Sequence, residues 1–99
     1  MNRYIATDSL NGLSDEYIMD HIQREPWLMT AFIERYEETL LDEANILTHN
    51  APYATKIVQD TFKKMYVNPR GYETHKDRSC VAWSKALLQE SLAKYNTLS

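Results

Sequence analysis

Between Pro26 and Thr48 the apolar residues recur at the period of an α-helix, and this pattern constrains the fold more than any other. Leu28, Ala31, Phe32, Tyr36, Leu40, Ala44 and Leu47 form one stripe, which Ile33 and Leu41 widen on one flank. Glu34, Glu37, Glu38 and Asp42 take the opposite side. Glu43 breaks the pattern, because its register places it within the apolar sector. Pro26 suits the first turn of such a helix, where its missing N–H would have no partner. A helix over 26–48 must bury its stripe against other elements, so the neighbouring segments become the question.

The neighbours also read as helices. Ser14 is an N-cap candidate, with Asp15 and Glu16 placed where the helix dipole favours acids. A first helix is expected from Asp15 to Arg24, with Tyr17, Ile18 and Ile22 as its face and His21 beside them. A third is expected from Pro52 to Tyr66, burying Tyr53 or Ala54 with Ile57, Val58, Phe62 and Met65. Lys56, Asp60, Lys63 and Lys64 are expected toward water. Asn68-Pro69-Arg70-Gly71 is a turn signal that leaves room for a very short hairpin, with Tyr66 and Tyr72 facing across it. The last helix starts between His75 and Cys80, capped by Thr74 with Asp77 or by Ser79. It runs to Tyr95 with Cys80, Trp83, Leu87, Leu88 and Leu92 inside, and Thr97-Leu98-Ser99 is expected to fray. Residues 1–13 read as an extended arm and a turn at Asn11-Gly12. The expected fold is all-α: one domain over residues 1–99, a small bundle of about four helices.

Composition agrees. Of the 99 residues, 43% are hydrophobic and 25% charged, near the averages of globular domains. Two glycines and three prolines are few for an all-β or loop-rich chain. No apolar run reaches the ~20 residues of a membrane span, and the first residues lack the apolar core of a secretory leader. Cys80 is the only cysteine, so no internal disulfide can form. These features lead us to expect a cytoplasmic protein without membrane association.

The net charge of -3 hides an asymmetry. Residues 1–50 carry three basic and ten acidic groups, net -7; residues 51–99 carry eight basic and four acidic groups, net +4. Two candidate surfaces follow. Glu34, Glu38 and Asp42 stack at i, i+4 and i+8 with Glu37 beside them, and with Trp27 they form a candidate protein-binding face. The competing account is a solvated face balanced by lysines of the third helix. The second surface is the basic, aromatic segment 62–78, with Lys63, Lys64, Tyr66, Arg70, Tyr72, His75, Lys76 and Arg78. Cations there could hold phosphates and rings could stack on bases, although no recognition-helix or RNA-binding signature accompanies them.

Catalytic and metal signals are weak. His21, His49 and His75 fall one per segment without ligand spacing, so no metal or cofactor is expected. Cys80 sits near a helix start but in register with Trp83 and Leu87, which reads as a small core residue rather than a nucleophile. There is no glycine-rich phosphate loop and no nucleophile elbow, so no enzyme is expected. The expectation is a non-catalytic protein–protein interaction module, an accessory regulator or inhibitor whose partner is another protein or, as a homodimer, itself. A nucleic-acid-binding module is the alternative.

Overall fold

The computed structural model describes residues 12–74 and 79–98, with side chains described as far as Lys94. Four α-helices cover most of them: α1 (Asp15–His21), α2 (Leu28–Thr48), α3 (Ala51–Val67) and α4 (Cys80–Leu98). A 3-10 helix, Pro69–Thr74, joins α3 to α4. The protein is a small all-α bundle, with no strand among the described residues. Of the arm and turn expected over 1–13, residues 1–11 lie outside the described residues; Gly12 is helical and Leu13 is a bend.

Ser14 caps α1 as its position suggests, its Oγ accepting from the Tyr17 N–H at 3.0 Å. The helix stops at His21 rather than Arg24. Arg24 and Glu25 both donate to the His21 carbonyl, and the residue before Pro26 is disfavoured in helical geometry. Ile18, Met19 and Ile22 are buried, whereas Tyr17 is exposed and stacks on His21 at 4.0 Å. Met19 thus takes the core place expected for Tyr17. An ionic clip fastens α1 to α2. Asp15 receives Arg35 Nη1 at 2.8 Å and the Tyr36 hydroxyl at 2.5 Å, while Arg35 also donates to the Leu13 carbonyl.

A turn at Pro26-Trp27 precedes α2, which begins at Leu28. Its core side is Leu28, Ala31, Phe32, Leu40 and Ala44. Leu47 does not join them and stands 43% exposed, at the edge of an open groove between α2 and α4. His49 ends α2 in the left-handed conformation (φ 54°, ψ 32°), donating to the Asn45 carbonyl. Asn50 then caps α3 through Oδ1, which accepts from the Tyr53 N–H at 3.1 Å.

In α3 the buried side is Ala54, Ile57, Val58, Phe62 and Met65, with Thr61 among them donating to the Ile57 carbonyl. Phe32 and Phe62 meet edge-on at 6.2 Å where α2 and α3 cross. The end of α3 is capped from α1's side by Gln23, whose Nε2 donates to the carbonyls of Tyr66 and Val67.

The hairpin allowed for at Asn68–Gly71 is replaced by the 3-10 helix. Residues three apart line up in that geometry, so Pro69 and Tyr72 turn inward together. Tyr72 packs against Trp83 (ring centroids 6.4 Å) and donates to Asp20 at 3.4 Å, so it does not face Tyr66 across a turn. Ser79 Oγ accepts from the Ala82 N–H at 3.3 Å at the start of α4. The helix continues to Leu98, past the expected end at Tyr95, through residues expected to fray. Cys80, Trp83 and Leu88 are buried with two serines, Ser84 and Ser91, while Leu87 and Leu92 are half-buried. α4 packs chiefly on α3 and, more lightly, on α2.

Candidate protein interface

Glu34, Glu37, Glu38 and Asp42 are all exposed along α2, and none forms an ion pair among the described residues. Lys63 and Lys64 of α3 border the groove toward α4 rather than this face. Glu34, Glu38, Asp42 and Ile46 follow one another at four-residue steps, so the acidic stripe runs into an apolar end. Ile46 is 70% exposed, and with Leu47 it edges a shallow groove of about 470 Å³ between α2 and α4. Thr39, Asp42, Glu43 and Gln89 complete its lining. Glu43, the residue out of place in the helical pattern, is half-buried there and lies 3.9 Å from Lys85 of α4. Trp27, at the start of α2, is 53% exposed.

The described residues of the basic segment do not form one surface. Arg70 turns toward α1, pairing with Glu73 at 2.6 Å and Asp20 at 3.3 Å. Tyr72 is buried, so its ring is not offered to a base. Tyr66 is half-buried against the core. His75, Lys76 and Arg78 lie outside the described residues. Lys63 and Lys64 face instead a groove of about 430 Å³ between α3 and α4. Its apolar lining is Val67, Trp83 and Leu87, and its charged rim is Asp60, Lys63, Lys64 and Lys94. Lys64 donates to Ser91 Oγ at 3.0 Å. None of the three lysines has an ion-pair partner among the described residues.

Lys94, Ile46 and Val67 escaped the sequence reading. Ile46 was readable as the next step of the acidic stripe. Lys94 was not, because its association with Lys63 depends on how α4 lies against α3.

Cys80 is only 2% exposed, and its thiol is pushed up to about 12 by burial, with Asp15, Glu16 and Asp20 adding to the effect. A thiol so held is a poor nucleophile near neutral pH. Among the described residues no helix is long and apolar enough to cross a membrane. No protein family matches the sequence, and comparison with curated proteins and with solved structures likewise returns no match.

Proposed function

We propose that this chain is a non-catalytic interaction module, an accessory regulator or inhibitor, that binds another protein through the outer face of α2. One observation carries the reading: an acidic stripe, without an ion pair among the described residues, that runs into exposed Ile46 and Leu47. Charges of one sign select and orient a partner, and apolar side chains beside them supply area to bury. The matching partner presents a basic segment flanked by apolar residues. Trp27, exposed at the other end of the helix, is the aromatic anchor of the same face.

The test is affinity capture from the native host, with and without nuclease, using the wild-type chain and a Glu34→Lys/Glu37→Lys/Glu38→Lys variant. A nuclease-resistant protein partner, captured by the wild type and lost in the variant, is the expected result. Capture of nuclease-sensitive material alone would favour the nucleic-acid alternative and overturn this reading.

A further inference from the structure

The two grooves lie on opposite flanks of α4 and carry opposite charge. Toward α2 the groove holds Asp42 and Glu43 with Ile46 and Leu47, and Glu38 stands one turn away. Toward α3 it holds Lys63, Lys64 and Lys94 over Val67, Trp83 and Leu87, with Asp60 the one acid on its rim, so the lining remains net basic. They also sit at overlapping heights along the helix. Glu43 lies beside Lys85 and Gln89 lines the acidic groove, while the lysine groove spans Trp83 to Lys94 and Lys64 reaches Ser91. Between them α4 presents Ala82, Ala86, Gln89 and Ala93, spaced i, i+4, i+7 and i+11 on one face. Ala82 and Ala86 are half-buried, Gln89 and Ala93 are exposed, and none carries a charge, although exposed Glu90 borders this ridge on the side of the lysine groove. Apolar residues thus occur on the outer side of α4 as well as the inner, unlike a helix with one face committed to water.

We propose that a second copy of this chain covers α4, in a two-fold dimer whose axis runs parallel to that helix. Rotation about such an axis keeps height along the helix and exchanges its flanks. The acidic groove of each copy then faces the lysine groove of the other, twice, and the contact closes on itself. A two-fold axis lying across the helix would set acid against acid and lysine against lysine, so charge selects the first arrangement. The uncharged alanine ridge lets the two α4 helices approach. Burial of that ridge and of the groove floors supplies affinity, and the charges, each weak at an exposed site, supply orientation. The dimer would cover Asp42, Ile46 and Leu47, which the partner reading for α2 also uses, and leave Trp27, Glu34 and Glu37 exposed, so the two contacts compete at that end of α2; the test is separate, because the dimer is measured on purified protein alone.

Sedimentation equilibrium at graded salt tests it. The wild type is expected at twice the 11.6 kDa chain mass, weakening as salt rises. Lys63→Glu/Lys94→Glu and Asp42→Lys/Glu43→Lys should each raise the dissociation constant at least about tenfold. Mixed in equal amounts, the two variants should restore the dimer, because every facing flank is then again of opposite sign. Should either variant lose its helical circular dichroism, Ala93→Arg, an exposed substitution on the ridge, reads the same contact and should give monomer. A wild type that stays monomeric at about 100 µM would overturn the proposal. So would a dimer indifferent to the reversals or to Ala93→Arg, or folded variants that fail to pair on mixing.

Discussion

Replacing Gly71 by alanine should destabilise the protein, although the backbone there suits any residue. No glycine among the described residues has a positive φ, so the cost is steric. A Cβ at position 71 would lie 2.5 Å from Cζ2 of Trp83, 3.0 Å from Cε2 and 3.2 Å from Nε1. Carbon atoms in contact normally sit ~3.5–4.0 Å apart, so ring and backbone must separate by about 1 Å. Neither yields easily. Trp83 is buried against Tyr72, and the 3-10 helix is anchored on both sides of Gly71 by buried Pro69 and Tyr72. Overpacking of this kind costs about 1–3 kcal/mol. Reduced freedom of the unfolded chain offsets about 0.4–1 kcal/mol. Taking the middle of each range, the net is a loss of about 1.3 kcal/mol, or roughly 5–10 °C in melting temperature for a domain of this size. Urea and thermal unfolding followed by circular dichroism measure it. A double-mutant cycle with Trp83→Phe assigns it, since the smaller ring removes the clashing atoms and the cost of Gly71→Ala should shrink. A Gly71→Ala protein as stable as the wild type, or a cost unchanged in the Trp83→Phe background, would refute the reasoning.

Four other outcomes are expected. The Tyr36 hydroxyl is pushed up to about 12 by burial and by its bond to Asp15, and the Cys80 thiol to about 12 by burial, so the fold favours both neutral forms. Their contribution to stability is complete below the ordinary thiol value of 9.0 and is lost as pH rises toward 12; urea midpoints from pH 8 to 11.5 should fall, and less steeply for Tyr36→Phe. Cys80 should react slowly with thiol reagents in the native protein and quickly once unfolded; fast native labelling would revive a nucleophile role. His49→Gly should raise stability by about 0.5–1.5 kcal/mol in chemical denaturation, because His49 holds a left-handed conformation that glycine adopts without steric cost. Titration with single- and double-stranded oligonucleotides should show no micromolar binding at moderate salt, with or without substitution of Lys63, Lys64, Arg70 and Lys76, since the acidic chain repels a polyanion at long range.

The sequence by itself determined the helices and most of their inward faces. Ile57, Val58, Phe62 and Met65, or Phe32, Leu40 and Ala44, lie on one side of a helix because of their spacing alone, and Ser14 and Asn50 cap by reaching only three residues along the chain. Likewise the acidic stripe of α2 is a property of one helix and could be read from four-residue steps. Tertiary structure decided what lies between helices. Asn68–Gly71 permits a hairpin or a 3-10 turn, and the burial of Pro69 and of Tyr72, the latter against Trp83, settled it. Thr61, Ser84 and Ser91 are small enough to sit where helices touch; Thr61 and Ser84 bond backbone carbonyls, and Ser91 accepts from Lys64. The lysine groove joins Lys63 and Lys64 to Lys94, and the acidic groove joins Glu43 to Gln89, across distances in sequence that no local period reports. A helix fixes which of its own residues share a face; which face meets a neighbour depends on how the whole core closes.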